Sequence, residues 1–252
     1  MNSGTMKHVG SLLDSTYLKT AEQSGLSLVE NQQIVKSLAQ EAIDFCFKLV
    51  MIRPNHLRFL RAYLDEQNST VLLGTVIDFP FGEAALVDKL LEAEKAIKEG
   101  ADELDFVIDY KAFQKGEIEL VKEQVKECTA LCLKNGKIAK WIIEIAALTD
   151  EEIAAITKLI RDVVELSFSN DVERVFVKSS TGFYKRADGG RVGATVSGIK
   201  IMKANAGNLP IKAAGGVRNI DEVKQMVELG VSRIGTSSAK QIVLGEHSIK
   251  GY

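Results

Sequence analysis

The sequence predicts an α/β protein folded as a (β/α)8 TIM barrel, one domain over residues 1–252. Three observations carry this. Eight short runs rich in β-branched residues alternate with longer segments of helical period from end to end. A helix between successive strands returns each strand in the same direction, so the pairing is parallel. A chain of 252 residues is the length that eight such units fill. An open doubly wound sheet shares the alternation, but no G-x-G-x-x-G follows the first predicted strand.

The elements follow in order. Strand one is expected at 9–13, and Ser27 with Glu30 makes a capping box that starts the next helix. Strands two and three are expected at 45–52 and 70–77. Leu86, Leu90, Ala93 and Ile97 then recur at helical spacing, the stripe of a helix packed on a sheet. That helix ends at Gly100, which takes a left-handed cap without steric cost. Strand four is expected at 103–108 and strand five at 139–145, followed by a capping box of Thr149 and Glu152. Strands six, seven and eight are expected at 173–178, 209–213 and 231–235. Asn219 and Glu222 start the helix before the last strand, and Gly230 ends it. No linker, low-complexity tract or repeat interrupts the chain.

Composition narrows the function. The net charge is −2 with both signs interspersed, which gives no basic face for nucleic acid. No apolar run reaches the length of a membrane span, and residues 1–8 are too short and polar for a signal peptide. Three cysteines, an odd number at low density, indicate a reducing, cytoplasmic setting. Cys128 and Cys132 lie one helical turn apart, but no further ligand stands near them in sequence, so they read as buried small apolar residues. His8, His56 and His247 lack ligand spacing, and Trp141 reads as packing. No metal and no cofactor is expected.

Barrel enzymes place their chemistry at the C-terminal ends of strands, with side chains alternating between the lumen and the helix layer. Strand six ends in Lys178 and strand seven in Lys212, while strand four carries Asp105 between Leu104 and Phe106. Two ammonium groups about 5–6 Å apart repel by roughly 3 kcal/mol at an effective dielectric near 20, about two pKa units. Desolvation acts in the same direction. One lysine therefore becomes a nucleophilic amine near neutral pH, and Lys178 is the expected Schiff-base former. Gly215 and Gly216 precede one helix, and Gly235, Ser237 and Ser238 precede the last. Loops after strands seven and eight at helix N-termini are where barrels hold phosphate.

The segments "VFVKSSTGF", "IKAAGGVR", "GADELDFV" and "IGTSSA" closely resemble signatures of the deoxyribose-phosphate aldolase family. "DSTYLK" (14–19) and "TVIDFPFG" (75–82) resemble the family's segments after strands one and three. The resemblance implies a class I aldolase that reversibly cleaves 2-deoxy-D-ribose 5-phosphate to acetaldehyde and D-glyceraldehyde 3-phosphate, in deoxyribonucleoside catabolism. It implies Lys178 as the Schiff base, and Asp105 with Lys212 as the proton relay. Asp14 and Thr181 would belong to the substrate pocket. Gly182, Gly215, Gly216, Gly235, Ser237 and Ser238 would form the phosphate site. A homo-oligomer is expected, a dimer by preference. Two other readings stay open: a Schiff-base aldolase acting on another phosphorylated aldehyde, and a non-catalytic sugar-phosphate-binding barrel.

The chain also departs from the pattern. Met51 stands where the family often has cysteine, Asp78 where it has glycine, and Ile145 where it has a hydroxyl residue. The loop 184–191 is longer and more basic. The tail "EHSIKGY" ends in Tyr252, for which a gating or proton-relay role is weighed against a frayed end.

Overall fold

A computed structural model of the chain describes residues 8–187 and 192–246. Eight parallel strands close into a barrel in sequential order. They are β1 (Leu13–Tyr17), β2 (Leu49–Ile52), β3 (Leu72–Ile77), β4 (Glu103–Val107), β5 (Ile138–Ile142), β6 (Val175–Lys178), β7 (Ile211–Ala214) and β8 (Arg233–Thr236). The helices around them are α1 (Ala21–Ser24), α2 (Leu28–Asp44), α3 (Leu57–Glu66), α4 (Leu86–Lys98), α5 (Tyr110–Gln114) and α6 (Ile118–Lys134). They continue with α7 (Asp150–Ser167), α8 (Val196–Asn205), α9 (Ile220–Glu228) and α10 (Ala239–Leu244).

Seven strands lie close to their predicted positions, and the first meets its predicted range at Leu13 alone. Residues 8–10 are helical, and β1 runs through "LDSTY" instead of 9–13. Propensity counts Asp14 against a strand, but Asp14 is fully buried because this barrel's lumen is charged. "DSTY" and "TVI" are thus parts of β1 and β3 and do not follow them.

The boxes at Ser27/Glu30 and Thr149/Glu152 form, as does one at Thr20/Gln23. Asn219 caps α9 from one side only: its oxygen takes the Asp221 and Glu222 amides, while the Glu222 carboxylate takes the Arg218 amide.

The period-two alternation of the strands separates two interiors. Leu104, Phe106, Trp141, Val175, Val177, Ile211 and Ala213 face outward into the main core beneath the helices. Trp141 stacks on Phe106 at 5.0 Å and donates its indole N–H to Thr129, which makes it a packing residue as expected. Cys128 and Cys132 lie in the same core, and burial pushes both thiols up, Cys128 to about 12. His56 is buried with Nε2 beside the Asn31 side-chain oxygen at 3.1 Å, and His8 is exposed. On α4 the deepest line is Lys89, Ala93 and Ala96, with Leu86, Leu90 and Ile97 flanking it. A lysine on the buried face is the surprise there. Inside the barrel, a small apolar cluster of Leu18, Leu49, Met51 and Val76 lies on the β1–β3 side, and ionised groups lie on the other.

Candidate active site

Asp105 is the hub of the lumen. Its Oδ2 accepts from the Nζ atoms of Lys178 and Lys212, each at 2.8 Å, and its Oδ1 accepts from Lys140 at 2.8 Å. Strand register places these groups: Lys178 pairs with Lys212, Asp105 with Lys140, and Lys212 with Arg233. One layer down, Lys140 also pairs with Glu103, and Arg233 bridges Glu103 and Asp14. Asp14 in turn holds Lys212 at 2.6 Å. The network thus sets three carboxylates (Asp14, Glu103, Asp105) against four cations (Lys140, Lys178, Lys212, Arg233), all buried. The mismatch is one positive charge. Release of a single lysine proton removes it.

Lys178 is the lysine placed to release it. Burial lowers its pKa first, and the neighbouring charges of Lys212 and Lys140 lower it further. Together these outweigh Asp105 and leave it at about 8. The sequence reading had both Lys212 and desolvation lower this amine; burial is the larger of the two. Burial pushes the Asp105 carboxyl up, but its three lysines outweigh burial and hold it well below the usual carboxylate range. Asp14 behaves alike: Arg233, then Lys212 and Lys140, overcome burial and bring it to about 2. Lys140 is raised because Asp105, Glu103 and Asp14 outweigh burial.

Lys178, only 3% exposed, reaches a cavity of about 80 Å³ on the β6–β7–β8–β1 side of the mouth. Thr181, Gly182, Gly215, Gly216, Gly235 and Ser237 line it, together with Thr16, which the sequence reading did not single out. Ser238 does not line it; the residue is 2% exposed at the start of α10. Asp14 does not either, since it lies beneath Lys212 in the ion network. Gly215 has φ of 83°, and a Cβ there would stand 2.9 Å from the Gly193 Cα. Only glycine lets those two loops approach, and the approach shapes the cavity wall.

Thr181 is held from the side. Its amide donates to Glu144 Oε2 at 3.0 Å, and its hydroxyl donates to the same oxygen. Glu144 is 1% exposed and has φ of 54°, and burial raises its carboxyl against the Thr181 hydrogen bonds.

Lys140, Glu103 and Arg233 were missed, although the alternation that picked Asp105 also points them inward. Glu103 is two residues before Asp105, Lys140 sits between the outward Ala139 and Trp141, and Arg233 is two residues before Gly235. Glu144 had no such signal.

The departures from the family pattern have physical settings. Met51 fills the lumen over Gly74, where a Cβ would be 2.7 Å from its Cε. Asp78 has φ of 51°, a left-handed conformation that glycine adopts freely and aspartate tolerates. Ile145 packs in the main core against Gly198 and does not line the Lys178 cavity. In the basic loop, Tyr184, Arg186 and Ala187 line a separate open recess; residues 188–191, with His247 and Tyr252, lie outside the described residues.

A family model described as DeoC/LacD family aldolase matches residues 22–244. The chain belongs to this family. A relative from Thermococcus kodakarensis named deoxyribose-phosphate aldolase is 35% identical over 225 residues, covering 89% of this chain and 94% of the relative. One of the same name from Bacteroides thetaiotaomicron is 32% identical over 247 residues, covering 98% and 93%. Among solved structures, a tetrameric deoxyribose phosphate aldolase from Aeropyrum pernix superposes with a TM-score of 0.76 at 27% identity, covering 96% of this chain and 92% of that one. In this DeoC/LacD family aldolase, Lys178 is the last residue of β6, whereas Asp105 lies at the middle of β4 and Lys212 is the second residue of β7, which runs on to Ala214 and does not end at the lysine as the sequence suggested.

Proposed function

We propose that the chain is a deoxyribose-phosphate aldolase of the Schiff-base class, cleaving 2-deoxy-D-ribose 5-phosphate reversibly to acetaldehyde and D-glyceraldehyde 3-phosphate. The observation that carries the reading is the sharing of Asp105 Oδ2 by the two buried lysines. The Lys178 amine adds to C1 of the open-chain sugar, and loss of water leaves an iminium. The iminium is the electron sink, so the chemistry needs no metal. As the C3 hydroxyl gives up its proton, the C2–C3 bond pair moves into the iminium. The products are an enamine on Lys178 and the free aldehyde of glyceraldehyde 3-phosphate. Protonation at C2 and addition of water then release acetaldehyde and restore the amine. Lys212 and Asp105 are the proton-transfer pair for these steps.

The phosphate lies against Gly182, Gly215, Gly216, Gly235 and Ser237, where backbone amides and the N-terminal side of α9 favour an anion. Thr181 belongs to the substrate wall, whereas Asp14 acts from beneath by holding Lys212. Such chemistry suits a cytoplasmic enzyme of deoxyribonucleoside breakdown. A homo-oligomer, with a dimer favoured, is supported by the exposed apolar side chains Phe81, Val87 and Leu91, two of them one turn apart on α4. Light scattering on the purified protein tests the assembly.

The decisive experiment is reduction with cyanoborohydride in the presence of acetaldehyde, followed by peptide mapping. An ethyl group on Lys178 is expected. Labelling mainly on Lys212 reverses the two roles, and no adduct in folded protein removes the Schiff-base reading.

A further inference from the structure

Side chains from strands that are not neighbours meet over the mouth of the barrel. Phe79 follows β3 and Phe183 follows β6, with β4 and β5 between them in the ring. Yet their rings meet edge to face with centroids 5.1 Å apart. Arg53, which follows β2, lies over both: its guanidinium carbon is 4.8 Å from the Phe79 centroid and 5.8 Å from that of Phe183. Its Nε donates to the Leu18 carbonyl at 2.8 Å and its Nη1 to the Phe79 carbonyl at 3.3 Å. Edge-to-face aromatic pairs and an arginine over ring faces are mutually attractive.

Both ends are anchored. Beside Phe79, the Asp78 carboxylate is held 2.7 Å from the fully buried Lys89 ammonium and accepts from the Ala84 amide, while the Asp78 amide donates to Glu92. On the far side, the Phe183 amide donates to the Thr181 hydroxyl, which Glu144 holds. Phe79 and Phe183 also pack on the lumen's apolar cluster of Leu18, Leu49, Met51 and Val76. That cluster touches the reacting centre twice: Val76 pairs in register with Asp105, and Leu18 lines the Lys178 cavity.

We propose that Arg53, Phe79 and Phe183 form a bridge that sets the length of unsubstituted alkyl aldehyde Lys178 can carry, admitting two carbons and rejecting longer alkyl chains, while the polar sugar phosphate runs along the Gly182 and Gly215 wall instead. The inference rests on the Schiff-base reading of Lys178. An aldehyde joined to Lys178 has two directions for its carbon tail. One leads past Gly182 and Gly215, where an alkyl chain would cover polar backbone without satisfying it. The other leads into the apolar cluster, which suits an alkyl chain but is already filled and covered by the anchored rings. The two carbons of acetaldehyde need neither. Each further methylene has to displace a ring, and one methylene in a shaped apolar pocket is worth about tenfold or more in discrimination.

The test is competitive reductive alkylation of the full-length protein with equimolar acetaldehyde and butanal. At each lysine an N–C bond forms, the carbonyl oxygen leaves as water, and cyanoborohydride delivers hydride to the iminium carbon. Adducts at Lys178 are normalised to those at the exposed Lys224, which reports intrinsic reactivity. In the wild type, the ethyl-to-butyl ratio at Lys178 should exceed that at Lys224 by about a hundredfold, for two added methylenes. Phe79→Ala and Phe183→Ala should each lower that preference by about tenfold or more, and Arg53→Met by less. Phe79→Leu, which keeps apolar contact, serves if Phe79→Ala does not fold. Equal ratios at Lys178 and Lys224 in the wild type, or a preference unchanged in the phenylalanine variants, overturns the bridge. Absence of any adduct on Lys178 in folded wild type removes the Schiff-base reading and the bridge's role with it.

Discussion

Replacing Lys212 with methionine removes one of the two ammonium groups on Asp105 Oδ2 and keeps an unbranched side chain. Both nitrogens lie 2.8 Å from that oxygen, so they are at most about 5.6 Å apart and repel by roughly 3 kcal/mol at an effective dielectric near 20. That is about two pKa units. Burial, the first cause of the low Lys178 value, persists in the variant, but the Lys212 contribution disappears. The lumen then holds three carboxylates against three cations, so the proton on Lys178 completes a neutral set. Its titration should move from about 8 to about 10. At pH 7 the free amine falls from about a tenth to about a thousandth of the molecules. Acetaldehyde trapping on Lys178, measured against pH, should drop by about a hundredfold at pH 7 and recover above about pH 10. Turnover should stay low throughout, because the proposed proton carrier is missing. A trapping midpoint within about half a unit of wild type would refute the reasoning and leave burial, with Lys140, as the cause.

Asp105→Asn leaves three buried lysines without their shared charge, so urea unfolding should show a loss of about 3–5 kcal/mol. Lys178 loses an attraction, its pKa falls, and adduct formation should persist while turnover fails; unchanged stability would contradict the ion network. Ser237→Asp places a carboxylate in the cavity, and KM for the phosphorylated sugar should rise by about tenfold or more without a matching effect on 2-deoxyribose. An unchanged KM moves the phosphate elsewhere. Lys89→Met strips hydrogen bonds from the Gly82 and Val107 carbonyls and the counter-ion from Asp78, at a cost of about 3 kcal/mol in urea unfolding. A neutral result would show that the 78–84 turn holds itself.

What the sequence by itself determined is whatever depends on local spacing. Alternating β-branched runs and helical stripes specify the barrel, because strand and helix periods are set by backbone geometry within a few residues. The same alternation turns Lys178, Lys212 and Asp105 inward, and it turns Glu103, Lys140 and Arg233 inward with them. Only the tertiary structure decided what those groups do to one another. Asp14 looked like a pocket residue from its place in a motif, but it lies under Lys212 because closure of β1 onto β8 brings it to Arg233. Ser238 is adjacent to Ser237 in sequence but is buried, whereas Ser237 is exposed and lines the cavity. The meeting of Phe79 with Phe183 joins residues 104 positions apart and has no local signature. The amine's pKa is the clearest case. It follows from burial and from Asp105, Lys212 and Lys140 on three other strands, and desolvation and charge interactions act through distances that exist only once the ring has closed.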